Sequence, residues 1–318
     1  MATNNKFNIF YEGVIRLFKD MQFIAKSALI KEQIDDRISR GVTNIEIQLR
    51  NEFCENKEID LNLINEVDVS VVHMPLYKGE DFPIEHKEGR DYFKQTCELA
   101  NKVGHLKGHD IIVVVHIATA TSELIKTGLM DIIKSTILDE LNKYDNIVIA
   151  LENPPAFSYR RHDHFIFNSA LSIKDDKILF SNVELAKYIN HERCGVCLDV
   201  CHALMDEHNL SWIDSYFNFS LSDCMDKNNR LLNEFFLQCK PYINLIHLSY
   251  TEYHGFEKYH GFPYVDEDFD RKCIRTLKHV ERLYTTLEYN CPVTLEIYEN
   301  NIQYAENYSK TIDTIKNL

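Results

Sequence analysis

The chain has 318 residues, 45% of them hydrophobic and 26% charged, and its 49 acidic against 35 basic residues give a formal net charge of −14. Such a chain can bury a large core without covalent staples, as one large domain or two small ones. No run approaches the roughly 18 apolar residues of a membrane span, and the acidic balance weighs against a nucleic-acid partner unless a local basic patch supplies the contacts.

The opening MATNNKFNIF lacks the basic-then-apolar pattern of a secretion signal, so a cytoplasmic protein without membrane contact is expected. Met21–Ser27 is then the first of eight short apolar runs. Thr43–Leu49, Val69–His73, Ile111–His116, Ile147–Glu152, Gly195–Asp199, Asn244–His247 and Pro292–Glu296 follow, rich in Val, Ile and Leu and each closing on a polar or ionisable side chain. Continuous apolar runs between turns suit strands covered on both faces, hence a parallel sheet. Amphipathic stretches alternate with them. Leu29–Ser39 sets Ile30, Ile34 and Ile38 at four-residue steps, and Tyr92–Val103, Ser122–Leu141, Val183–Ile189, Ser222–Leu237, Phe269–Leu287 and Gln303–Ile315 follow the same logic, with a shorter stretch at Asp60–Ile64.

Eight strand–helix units predict an α/β fold, a single (β/α)8 TIM barrel over residues 1–318. Residues 1–20 form an N-terminal extension, and residues 153–182 a long irregular rim loop. An open doubly wound sheet would carry a Gly-rich phosphate loop after its first strand, and this chain has ten glycines in all. The nine cysteines show no framework spacing, which fits reduced thiols. Cys194, Cys197 and Cys201 look like half of a zinc motif without its second pair and read as small buried side chains.

Six consecutive strands end on a metal-capable side chain: His73, His116, Glu152, Asp199, His247 and Glu296, with His202 three residues beyond Asp199. In a barrel all of these face the C-terminal rim, where barrel enzymes build their sites. Carboxylates converging at one place call for a cation. Imidazole with carboxylate suits Zn, Mn, Fe or Co, and the histidine count favours zinc. Clustered metals serve the attack on phosphate esters. In the rim loop, Arg160 and Arg161, beside His162 and His164, either grip a phosphate or form a solvated turn.

The segment Gly195-Val-Cys-Leu-Asp-Val-Cys-His-Ala203 resembles the G-[VI]-C-[IL]-D-T-C-H-A segment of endonuclease IV, the metal-dependent apurinic/apyrimidinic endonucleases within the xylose isomerase-like TIM barrels. Val72-His73, Val115-His116, Leu151-Glu152-Asn153, Ile246-His247-Leu248 and Leu295-Glu296 follow in the family's order, so the resemblance covers the chain from about Met21 onward. It implies a DNA-repair hydrolase that cleaves at abasic sites by a metal-bound hydroxide, with two or three Zn2+ ions, or Mn2+ or Fe2+ in their place. Its implied metal ligands are His73 and His116 on one ion, Glu152 bridging, Asp199, His247 and Glu296 on the second, and His202 and His260 on a third. The ninth family ligand is an Asp where this chain has Lys258, with Glu257 and His254 as neighbours. Glu152 or Glu296 would be the general base. Arg160, Arg161 and Lys258 would contact substrate, and Tyr77 would either wedge into a duplex or pack.

A second reading is a mononuclear sugar isomerase or epimerase, for which Glu152, Asp199, His247 and Glu296 suffice and the partner is a small phosphorylated or sugar substrate. His73, His116, His202 and His260 have no required role there. A third is a catalytically dead barrel kept for binding.

Overall fold

The computed structural model describes residues 18–317 apart from 57–58, 78–79, 155–156, 161–163, 168–170, 175–176, 209–229, 252–260, 262, 265–269 and 288–289. Eight parallel strands close into one barrel: β1 (Ile24–Ser27), β2 (Asn44–Gln48), β3 (Asp68–His73), β4 (Ile111–His116), β5 (Ile147–Glu152), β6 (Cys194–Asp199), β7 (Ile243–Leu248) and β8 (Val293–Leu295). Neighbours pair in chain order, and the ring closes where Ile24 faces Thr294 and Ala25 faces Leu295. The barrel expectation holds, and the eight strands coincide with the eight apolar runs to within a few residues. Closure leaves no strand edge unpaired, which removes the aggregation-prone edge of an open sheet.

The helices are α1 (Lys31–Ser39), α2 (Asn51–Asn56), α3 (Lys87–Lys107), α4 (Thr121–Lys126), α5 (Leu129–Lys143), α6 (Ser181–Ile189), α7 (Val200–His208), α8 (Arg230–Cys239), α9 (Asp270–Tyr284) and α10 (Glu306–Asn317). Two glycines set boundaries that periodicity alone blurs. Gly128, at φ 71, splits the expected Ser122–Leu141 helix into α4 and α5, and Gly108, at φ 75, ends α3. A side chain at either would be strained in that left-handed conformation. The Asp60–Ile64 stretch forms instead a 3-10 turn at Leu63–Glu66. The short helices α2 and α7 were not anticipated; α7 follows β6 with no intervening loop.

The long rim segment is more regular than its sequence implied. Phe157–Arg160 pairs with His164–Phe167, and Leu171–Lys174 with Lys177–Phe180, as antiparallel ribbons before α6 begins at Ser181. Their aromatic and β-branched residues carry the strand preference. At the other end of the chain, Phe18 packs edge-on against Phe23 and Tyr284, and its N–H donates to Glu281 at 3.0 Å. Residue 18 is therefore packed against α9.

The core has two zones. Ile24, Val71, Val114, Ala150, Cys197 and Leu245 form a small cluster inside the barrel, and a larger one fills the space between sheet and helices. The eight described cysteines are free and seven of them buried. Burial pushes the Cys194 thiol up to about 12, which agrees with packing and not with half a zinc motif. Among the described residues no helix is long and apolar enough to cross a membrane.

Candidate metal centre

Side chains alternate across a strand, so the residue two positions beyond each member of the inner apolar cluster also points into the barrel. Val71 is followed in this way by His73, Val114 by His116, Ala150 by Glu152, Cys197 by Asp199, Leu245 by His247 and Ile24 by Lys26. One apolar layer thus supports one ionisable layer at the C-terminal rim. His73, Glu152, Asp199 and His247 are buried to 2% exposure or less.

Glu152 is the hub. Its Oε2 lies 2.7 Å from His116 Nε2 and 3.2 Å from His73 Nε2, while its Oε1 lies 3.0 Å from His247 Nδ1. On the far side, His247 Nδ1 is 3.0 Å from Glu296 Oε2 and 3.9 Å from Asp199 Oδ2. Three donor groups result, His73–His116–Glu152, Glu152–Asp199–His247–Glu296 and Glu152–Cys197–His247, each with its donor atoms within 4.8 Å of one another; burial pushes the Cys197 thiol up, which leaves the first two groups, of oxygen and imidazole donors, as the cation sites. The helix α7 explains the orientation of Asp199. Its Oδ1 accepts the His202 N–H at 2.7 Å, an N-cap bond that leaves Oδ2 toward His247. Asn153 then clamps the ends of β5 and β6, donating to Asp199 O and accepting from Asp199 N.

His202 lies at the rim of this cluster. Its Nδ1 is 2.7 Å from Asn153 O and 3.6 Å from Asp199 Oδ2. His260, Lys258 and Arg161 lie outside the described residues. So do the side chains of Arg160 and Tyr77, whose backbones lie on the rim ribbons Phe157–Arg160 and Leu76–Tyr77.

Three further residues complete the layer, and reading only the last residue of each run misses them. Glu46, fully buried in β2, accepts His247 Nε2 at 3.0 Å. Lys26 of β1 donates to Glu296 Oε1 at 2.5 Å and stands 3.6 Å from Glu46 Oε1. Gln48 of β2 approaches His73 Nδ1 at 3.4 Å. A charge inside the apolar run Ile45-Glu46-Ile47 was the available signal, because a buried carboxylate needs a partner.

The electrostatics follow from these contacts. Burial raises Glu152, but His247 and His116 outweigh it and hold the carboxyl well below its usual range. Burial likewise opposes the charge on His247, yet Cys197, Glu46 and Glu152 outweigh it and raise the ring's pKa well above the ordinary imidazole value; a cation held at Nδ1 would displace the proton there. Burial, helped by Lys26, lowers His73, and burial lowers His202, so both rings favour the neutral, ligating form. Four carboxylates (Glu46, Glu152, Asp199 and Glu296) thus meet one ammonium and one imidazolium. That excess of negative charge, on oxygen and imidazole donors in two groups, fits divalent cations of the zinc, manganese or iron type.

No family model and no curated protein sequence matches the chain. Among solved structures, it is similar to AsfvAP:AG, with 15% identity and TM-score 0.52 over 93% of this chain and 98% of that one. It is also similar to a probable 3-DHS dehydratase, AsbF, involved in petrobactin synthesis in Bacillus anthracis, with 10% identity and TM-score 0.53 over the same shares. A xylose isomerase-like TIM barrel/4-hydroxyphenylpyruvate dioxygenase fusion protein aligns at TM-score 0.48, with 13% identity, over 93% of this chain and 42% of that one. These likenesses are likenesses of fold.

Proposed function

We propose that the chain is a metal-dependent phosphodiester hydrolase of the endonuclease IV type, with abasic-site DNA as its substrate and two zinc ions as its working complement. The position of Glu152 carries this reading. One of its oxygens faces the His73–His116 pair and the other faces His247, which is the arrangement of a carboxylate bridging two metal sites. Metals held there would polarise a phosphate and activate water. The chain's own residues divide the remaining work. His73, His116, Asp199, His247 and Glu296 fix the donor geometry, and Glu46 and the Met74 carbonyl hold His247 and His73 from behind. Glu296 or Glu152 takes the proton of the attacking water, and Lys26, beside Glu296, offers a fixed positive charge to developing charge on phosphate oxygen.

The test is cleavage of a duplex with a single abasic site by the purified, zinc-supplemented protein, alongside Glu152→Ala and Asp199→Ala. Cleavage by the wild type that either substitution abolishes supports the reading. A wild type without cleavage contradicts it.

One observation favours a second reading. Glu152, Asp199, His247 and Glu296 converge on a single point, the set a mononuclear sugar isomerase or epimerase needs, in which two carboxylates would shuttle a proton at carbon. His73 and His116 separate the two readings, since only the dinuclear hydrolase requires them.

A further inference from the structure

The ionisable layer contains a residue that can donate but cannot ligate. Lys26 of β1 lies opposite Glu46 of β2 in the register of the sheet, and it points into the barrel because Ile24, two residues before it, belongs to the inner apolar cluster. A protonated lysine has three N–H donors and no lone pair, so it joins no cation site as a ligand. It acts on the layer through the oxygens it occupies. These are Glu296 Oε1 at 2.5 Å and, more distantly, Glu46 Oε1 at 3.6 Å.

Each member of the Glu152–Asp199–His247–Glu296 group has one atom engaged elsewhere. Glu152 turns Oε2 toward His116 at 2.7 Å and His73 at 3.2 Å. Asp199 Oδ1 accepts the His202 N–H at 2.7 Å, and His247 Nε2 donates to Glu46 at 3.0 Å. Glu296 Oε1 accepts from Lys26. The atoms left over are the ones that converge: Glu152 Oε1 and Glu296 Oε2 lie 3.0 Å from His247 Nδ1, and Asp199 Oδ2 lies 3.9 Å from it. Three carboxylates, each able to bind a cation through both oxygens, are thereby held to one oxygen apiece. Glu152 is held by ligands of the other group and Asp199 by a backbone amide. Glu296 is held by a side chain that ligates nothing. The number of donors matters for the choice of ion, since zinc takes about four while manganese and magnesium take about six, mostly oxygen.

We propose that Lys26 is a specificity-determining residue of the centre: by occupying Glu296 Oε1 it holds the second cation site to single-oxygen ligands and so favours zinc over manganese and magnesium. The inference rests on the cation site formed by Glu152, Asp199, His247 and Glu296, which both functional readings share, and not on the reaction carried out there. A role through charge alone has a different signature. An ammonium beside a ligand repels every divalent ion alike, which lowers zinc and manganese affinity together and leaves their ratio unchanged. Zinc also outbinds manganese at most sites of nitrogen and oxygen donors, so the preference of the wild type decides nothing by itself. The change in the ratio when Lys26 is removed is the quantity that separates a limit on donors from plain electrostatics.

Equilibrium competition between zinc and manganese for the full chain, wild type beside Lys26→Met, tests this. Lys26→Met keeps the unbranched stem and releases Glu296 Oε1. It should lower the zinc-over-manganese ratio of one bound ion by about tenfold or more, chiefly through a gain in manganese affinity. Cobalt supplies a spectroscopic counterpart, because cobalt with few donors absorbs far more strongly in the visible than cobalt with a full octahedral set. In a His73→Ala/His116→Ala chain, where the second site remains, cobalt should absorb strongly with Lys26 present and weakly in Lys26→Met. If Lys26→Met does not fold, the spectrum with Lys26 present decides: a strong band supports the proposal and a weak one overturns it. An unchanged ratio, with both affinities rising together, overturns it even where abasic cleavage is intact. A shifted ratio in a chain that cleaves no abasic duplex upholds the role of Lys26 while the hydrolase reading falls. A chain that binds no divalent ion overturns both.

Discussion

Glu46 touches no substrate in this account, yet its removal should be felt at the metal. His247 presents Nδ1 to Glu152, Glu296 and Asp199 and Nε2 to Glu46, 3.0 Å away. A carboxylate behind a ligating histidine fixes its tautomer and raises its basicity, and loss of such a partner lowers metal affinity about 10- to 100-fold. That corresponds to roughly 1.4 to 2.7 kcal/mol. The structure grades the effect. Glu46→Gln keeps an oxygen to accept the Nε2 proton and removes only the charge, so it belongs at the lower end of the range. Glu46→Ala removes both and leaves a void beside Lys26, so it belongs at the upper end. The assay is competition for zinc against a chromophoric chelator, with circular dichroism as the control for folding. Unchanged zinc affinity in folded Glu46→Ala would refute the reasoning, because His247 would then need no partner behind it.

Leu245→Ala, one layer below His247, should cost about 2 to 5 kcal/mol in denaturant unfolding without changing metal stoichiometry, since it removes packing and not a donor. Glu85 is 4% exposed and accepts the Ala118 and Thr119 N–H groups; burial raises its pKa despite these bonds. A carboxyl raised in the folded state contributes fully at pH below its unfolded value and loses that contribution as pH rises through the folded one. Glu85→Gln should therefore melt higher than wild type at pH 7, with the gap closing toward pH 4; a gap that stays constant would contradict this. If duplex DNA is bound, the triple substitution of Arg160, Arg161 and Lys258 to Ala should flatten the salt dependence of binding by about one unit of slope for each phosphate no longer neutralised, and an unchanged slope would remove these residues from the interface.

The strands were legible because burial on both faces writes itself as uninterrupted Val, Ile and Leu. The ends of those runs exposed the donors: His73, His116, Glu152 and Asp199 each close a strand, His247 stands one residue before the end of β7, and Glu296 follows β8 directly. Lys26 and Glu46 stayed hidden for a geometric reason. Lys26 is one residue short of the end of β1 and Glu46 two short of the end of β2, and only the register of the closed sheet shows which alternate residues face inward. The buried face of α1 was misjudged because Ile30 and Ile38 imitate an apolar stripe, whereas the helix turns Gln33 and Arg37 toward the barrel instead. The rim ribbons were missed because antiparallel pairing within a long connection leaves no periodicity longer than four residues.

The hydrolase function proposed above requires two metal sites bridged by Glu152. Elemental analysis of the zinc-reconstituted wild type beside a His73→Ala/His116→Ala double variant decides it. About two zinc ions per chain in the wild type and about one in the folded variant is the predicted result, since the histidine pair serves one site and Asp199, His247 and Glu296 the other. One ion in both proteins would contradict the dinuclear centre and leave the four-ligand isomerase geometry in its place.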